Sequence, residues 1–134
     1  MIRLDPDFEF NGYKVSSFLK EGLYNDTYRV CDADNTSYFM KVYDLEKVPK
    51  TLLSQDNEIS EIDYCKKIQH KNMISFKAEG KIDTGENSYP YMITDYFSGE
   101  LLADKLNRVS KLPLDESLTY INGVIDGLEY LHGI

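Results

Sequence analysis

Apolar and polar positions alternate along most of the first hundred residues, and then the period changes. Tyr13-Lys14-Val15-Ser16-Ser17-Phe18-Leu19, Thr27-Tyr28-Arg29-Val30-Cys31 and Tyr38-Phe39-Met40-Lys41-Val42-Tyr43 are short runs rich in β-branched and aromatic residues, the pattern of half-buried strands. Between them lie Lys20-Glu21-Gly22-Leu23-Tyr24-Asn25-Asp26 and Asp32-Ala33-Asp34-Asn35-Thr36. Their Gly, Asn and Asp break a strand and favour turns. Upstream, Phe8 and Phe10 precede Asn11-Gly12, which reads as a packed lead-in and a turn. From residues 54 to 69 the pattern becomes helical, with Ile59, Ile62, Cys65 and Ile68 recurring at three-residue steps among charged residues. Residues 73–78 are extended again, and Asp83-Thr84-Gly85-Glu86-Asn87 turns the chain into 91–96, the most apolar strand. After Ser98-Gly99 only helical grammar is left: 100–108 as a short helix, Leu112-Pro113-Leu114 as a connector, and Asp115 as a helix cap. Leu118, Ile121, Val124, Ile125, Leu128 and Leu131 then mark an amphipathic helix to the end. The pattern predicts five strands with one helix inserted after the third, a short linker, then helices alone.

Composition changes the list of partners more than the fold. A chain of 134 residues, 42% hydrophobic and 28% charged, can bury one ordinary core. Fifteen Lys and Arg against 23 Asp and Glu give a net charge of −8. That opposes unassisted binding to nucleic acid or to an anionic membrane, and the simplest role of the acid is solubility. Cys31 and Cys65 are far apart, and with only His70 and His132 beside them no metal-ligand spacing forms. They read as two free thiols of a reducing cytoplasm. The first residues include Asp5, Asp7 and Glu9 and no apolar run, so neither a signal peptide nor a membrane span is expected.

One charge stands out of the pattern. Strand alternation puts Phe39, Lys41 and Tyr43 on one face and Tyr38, Met40 and Val42 on the other. Lys41 is then either an edge-strand lysine keeping its ammonium in water or a cation held for a phosphate and oriented by a carboxylate elsewhere. Glu61 is the candidate carboxylate, although Glu58, Ser60, Asp63 and Lys66 around it also suit a solvated helix face.

Five segments, in order, resemble the protein kinase family from about Tyr13 to Ile134. Leu19-Lys20-Glu21-Gly22-Leu23-Tyr24-Asn25-Asp26-Thr27 is similar to the phosphate-covering hairpin G-x-G-x-x-G-x-V, and Tyr38-Phe39-Met40-Lys41 to the V-A-I-K strand. Glu61 followed by Gln69-His70-Lys71-Asn72-Met73-Ile74 resembles the family's helix glutamate and H-P-N-I. Met92-Ile93-Thr94-Asp95-Tyr96-Phe97-Ser98-Gly99-Glu100-Leu101 resembles the strand and hinge that hold adenine. Ile125-Asp126-Gly127-Leu128-Glu129-Tyr130-Leu131-His132 resembles the long helix before the catalytic loop.

The resemblance implies an α+β fold: a kinase-like small lobe of five antiparallel strands and one inserted helix over residues 1–97, then the first two helices of a truncated large lobe over 98–134. It implies ATP as cofactor, with magnesium ligands outside this chain, and Ser/Thr of proteins as acceptor. Lys41 and Glu61 become the catalytic ion pair. Leu19, Gly22 and Thr27 belong to the covering hairpin, and Phe39 to the roof of the adenine site. Thr94 stands at the back of the pocket, and Asp95 and Phe97 offer backbone groups to the base. Glu100 either accepts a ribose hydroxyl or simply favours a helix start.

Three departures qualify that picture. The hairpin keeps Gly22 alone of three glycines, with Lys20 and Asn25 at the outer positions. Lys20 adds a charge, and Asn25 tolerates a positive φ. Phe39 stands where the family has a small alanine, so either the pocket is reshaped for ATP or Phe39 fills it and the domain is a pseudokinase or interaction module. Neither H-R-D nor D-F-G occurs, so this segment alone is expected to be inactive, with the rest of the large lobe as its partner. The stripe from Leu118 to Leu131 is expected to drive self-association through residues 117–132.

Overall fold

The computed structural model describes residues 1–134. The chain divides into two compact units, Met1–Lys67 with Ser75–Tyr96, and Ile68–Ile74 with Phe97–Ile134.

The first unit is built on one antiparallel sheet of order β1-β2-β3-β4-β6-β5. Its strands are β1 (Glu9–Phe10), β2 (Tyr13–Glu21), β3 (Asn25–Cys31), β4 (Ser37–Tyr43), β5 (Phe76–Asp83) and β6 (Ser88–Asp95). The lead-in of the sequence reading is therefore a sixth strand. Asn11 and Gly12 both adopt positive φ, 44° and 86°, as a two-residue hairpin turn needs, and Phe10 pairs with Tyr13 across it. The turn between β3 and β4 closes on Asp32, whose carboxylate Oδ1 accepts the N–H groups of Asp34 and Thr36.

Alternation along the strands sorts the side chains onto two faces. One face carries Val15, Tyr28, Val30, Met40, Val42, Ile82, Tyr91 and Ile93 in a single buried cluster with Leu4. The other carries Tyr43 and Met92, packed with Val48, Ile59 and Ile62 under a helix, α1 (Ser60–Lys67). Each fully buried large apolar side chain contributes about 1.5–3 kcal/mol, and Tyr28, Tyr43, Tyr91, Met40 and Ile93 are the largest of them. Tyr91 packs its ring against its register partner Gly80. A Cβ there would stand 2.6 Å from the Tyr91 hydroxyl.

The inserted helix is shorter than the periodicity from 54 to 69 predicts. The Ser54 hydroxyl accepts the N–H groups of Asp56 and Glu58, and Asn57 sits at φ 59°. These local side-chain bonds compete with helix formation, so the segment before Ser60 is a closed turn bridged Leu53 to Ile59. Ile59 and Ile62 keep the buried places that the pattern assigned to a helical stripe.

In the second unit, α2 (Leu102–Val109) and α3 (Leu114–His132) follow one another. The first of these begins at Leu102, later than residue 100. Asp115 does not cap α3: Pro113 holds that place, its carbonyl accepting the Ser117 N–H at 3.0 Å. Proline is suited to the edge of a helix because it has no N–H to leave unpaired. Asp115 and Glu116 instead occupy the first turn, where the helix dipole favours a negative charge. The segment Ile68–Ile74 is stitched to α3. Tyr130 accepts the Gln69 N–H at 2.8 Å, Asn72 donates its side-chain amide to the Gly123 carbonyl at 3.0 Å, and the His70 and Tyr130 rings lie 5.0 Å apart. Lys105 of α2 bonds Glu116 and Tyr120 of α3.

Candidate functional site

The centre of the site is the face of β4 that carries Phe39, Lys41 and Tyr43. Register places Thr27 and Met92 beside Lys41, Arg29 and Thr94 beside Phe39, and Asn25 beside Tyr43. Lys41 and Tyr43 are two residues apart on an extended strand, and so about 6.6–6.8 Å apart along it. Glu61 reaches down between them from the first turn of α1. Its Oε1 lies 2.6 Å from Lys41 Nζ, and its Oε2 accepts the Tyr43 hydroxyl at 2.7 Å. The Lys41 and Glu61 side chains are 35% and 40% exposed, so the ammonium is oriented yet still open to an anionic oxygen.

Tyr43 is completely buried. Burial, and then the bond to the Glu61 carboxylate, push its phenol well above the ordinary range, so it acts there only as a neutral donor. Cys65, one helical turn beyond Glu61, has its thiol raised first by burial and then by the Glu61 charge, which makes it a packing residue rather than a nucleophile. A cavity of about 420 Å³ opens beside this group, lined by Tyr24, Lys41, Tyr43, Leu52, Glu61 and Tyr64. A larger depression of about 560 Å³ lies around Asn11, Cys31 and Asp32, at the other end of β4; Glu9, Lys14 and Asp32 line it. No group of three or more His, Cys, Asp or Glu side chains stands together to hold a metal ion.

Towards Thr94 the same face is covered by aromatic rings. Phe39 and Tyr96 lie with centroids 4.7 Å apart and planes at 51°. The Arg29 guanidinium stands 4.8 Å over the Tyr96 ring while donating twice to the Ser37 hydroxyl, at 3.1 and 3.0 Å. The ring of Phe39 is thus held in place by a partner of its own.

The remaining residues singled out in the sequence are placed as follows. Gly22 donates its N–H to the Asn25 carbonyl at 2.7 Å, and a Cβ on Gly22 would come within 2.8 Å of that oxygen. The glycine therefore serves a close backbone approach. Asn25 is not among the residues with positive φ, because the turn closes without needing one there. Leu19 sits at a bulge between Phe18 and Lys20 and is exposed. Asp95 donates its N–H to the Ser75 carbonyl at 3.0 Å. Phe97 is 60% exposed. Glu100 pairs with the Arg108 guanidinium, so its carboxylate already has a partner. Tyr43, Tyr96 and Arg29 were not singled out. For Tyr43 the signal was available, since alternation puts it on the Lys41 face.

The family model described as protein kinase domain matches residues 13–134, and the chain belongs to the protein kinase family. It is 29% identical over 125 residues to MAP3K epsilon protein kinase 1 of Arabidopsis thaliana, covering 91% of this chain and 9% of that protein. It is 25% identical over 124 residues to the inactive serine/threonine-protein kinase PLK5 of Mus musculus, covering 90% and 20%. Among solved structures, the kinase domain of Mycobacterium tuberculosis PknI superposes with a TM-score of 0.74 at 19% identity, covering 98% of this chain and 52% of that one. Rad53 1–466 in complex with AMP-PNP superposes with a TM-score of 0.67 at 16% identity, covering 87% and 30%. The fold is the α+β arrangement of a kinase small lobe followed by helices. The chain spans between 9% and 22% of the length of the curated relatives it matches, and about half of the PknI kinase domain.

Proposed function

We propose that this chain is the nucleotide-binding portion of a protein kinase that transfers the γ-phosphate of ATP to Ser or Thr of protein substrates. The observation that carries the reading is Lys41, oriented by Glu61 at 2.6 Å and still one-third exposed. An ammonium so held suits the inner phosphates of a nucleotide, because the anion beside it fixes a flexible side chain without covering it. Gly22 lets the hairpin turn tightly, Thr27 and Thr94 flank the central strand, and in this reading backbone groups of Asp95 and Phe97 hold the base. Magnesium, when bound with ATP, neutralises charge on the phosphates. The catalytic loop and the metal ligands belong to other parts of the kinase. No helix here is long and apolar enough to cross a membrane, and a cytoplasmic setting suits two free thiols. Titrating the chain with ATP and magnesium tests the reading: binding raises the melting temperature in proportion to the logarithm of ligand concentration, and no shift at millimolar ATP contradicts it.

A second reading is favoured by one observation, the Phe39–Tyr96 contact at 4.7 Å. If that contact persists, the base has no room beside Thr94 and the domain is a pseudokinase or kinase-like interaction module. One relative is itself named an inactive kinase. This reading expects no thermal shift with ATP until Phe39 is truncated.

The amphipathic α3 supplies a partner surface in either case. Ile121, Val124 and Ile125 are 53%, 61% and 52% exposed, more apolar surface than a lone helix face usually leaves in water. The rest of the kinase large lobe, or a second copy of the chain, is the proposed cover.

A further inference from the structure

We propose that Tyr43 is a positioning residue that holds Glu61, and through it α1, in the arrangement that orients Lys41. The inference rests on the nucleotide reading above for its functional consequence, but its structural part stands alone. A carboxylate bound through one oxygen can swivel about that contact. Glu61 is bound through both, Oε1 to Lys41 and Oε2 to Tyr43, and both partners come from the same face of β4. The two bonds set the plane of the carboxylate as well as its distance.

The two partners differ in how freely they can release it. Lys41 is partly exposed, so water replaces Glu61 when the pair opens. Tyr43 packs with Val48, Ile59, Ile62 and Met92 and has no exposed surface, although the cavity beside Glu61 reaches its edge. Moving α1 outward would leave a buried hydroxyl without its acceptor, and a buried donor left unmade is penalised more heavily than an exposed ion pair. Another polar tether of α1 to the sheet, Lys66 to Glu79 at 2.6 Å, is 40% and 41% exposed and is weakened by water and salt. An eight-residue helix has little stability of its own, so its position follows its tethers. The buried phenol is less exposed than either ion pair.

Tyr43→Phe removes the hydroxyl and keeps the ring that fills the cluster. Amide exchange of the 134-residue chain, followed by mass spectrometry, reads the structural part. The proposal expects peptides of α1 to exchange about tenfold faster in Tyr43→Phe, the size of one hydrogen bond to a charged group, with β4 and β6 unchanged. In a Glu61→Ala background the same substitution should add nothing, because the acceptor is already gone. Titration with ATP and with adenosine reads the functional part: the ratio of ATP to adenosine affinity should fall several-fold in Tyr43→Phe while adenosine binding stays constant. Wild-type exchange rates in Tyr43→Phe overturn the proposal. So does acceleration spread equally over the sheet, or an undiminished effect without Glu61. If the wild-type chain binds neither ligand, the nucleotide reading fails by itself, and the exchange rates still decide the role of Tyr43.

Discussion

Phe39 and Tyr96 meet ring to ring at 4.7 Å on the strand face that also carries Lys41. The contact joins the middle of the sheet to the end of its most apolar strand. It sets the space beside Thr94, since Phe39 and Thr94 are register partners. Removing one ring should therefore change ligand access more than it changes the fold.

Phe39→Ala is expected to strengthen ATP binding several-fold. Only the ring is lost, and Lys41 and Glu61 are untouched. Phe39 is partly buried, so the accompanying loss of stability should be about 1–3 kcal/mol, below that of a full core deletion. Calorimetric titration and chemical denaturation measure the two effects separately. Weaker ATP binding by a folded variant would mean that the ring supports the base.

Gly80→Ala should destabilise the first unit by about 1–3 kcal/mol. The added methyl would meet Tyr91 at 2.6 Å from its hydroxyl and 2.7 Å from the ring carbon that bears it. Tyr91 is only 2% exposed, and its hydroxyl accepts the Asn11 amide at 2.9 Å, so the ring cannot simply step aside. Urea unfolding reads the cost, and a midpoint equal to that of wild type contradicts the close packing described.

The link between α2 and α3 carries a pH signature. The bond to Lys105, and then that to Tyr120, hold Glu116 below the ordinary 4.5, while Glu116 and Tyr120 push Lys105 up to about 12. For Glu116 the folded value is the lower one, so its contribution is present above pH 4.5 and is lost as pH falls through the folded value. For Lys105 the folded value is the higher one, so its contribution is complete below pH 10.5 and disappears as pH rises through about 12. Carboxyl titration by NMR should find Glu116 depressed in wild type and raised part of the way back in Lys105→Met, where the Tyr120 bond remains.

The exposed apolar stripe of α3 predicts self-association of the isolated chain, and Val124→Asp should abolish it. Val124 is 61% exposed, so the substitution costs the fold little, while a charge in an apolar contact is heavily penalised. Light scattering at high concentration measures it. A monomeric wild type contradicts the prediction.

The sheet was legible because its information is local. Alternation in 38–43 sorted Phe39, Lys41 and Tyr43 from Met40 and Val42, and the two buried clusters divide along that line. Helix ends were less legible because side chains decide them. Ser54 turns the backbone with its hydroxyl, and Pro113 takes the place that Asp115 suggested. The first strand is only two residues long, too short for any period to reveal, although Asn11-Gly12 marked its turn. The candidate site was read mainly through likeness to a family. That likeness pointed to Lys41 and Glu61 and took Tyr96 only as part of the hinge segment; it gave no role to Tyr43, Tyr96 or Arg29, which join the site through contacts between elements.

The central claim is that Lys41 is held for the phosphates of a nucleotide, and comparing ATP with adenosine on Lys41→Met tests it most directly. The substitution removes one charge and keeps an unbranched side chain of similar length. A charge-assisted hydrogen bond lost from bound phosphate should weaken ATP roughly 10- to 100-fold, with adenosine binding unchanged. Equal affinity of wild type and Lys41→Met for ATP would contradict the account.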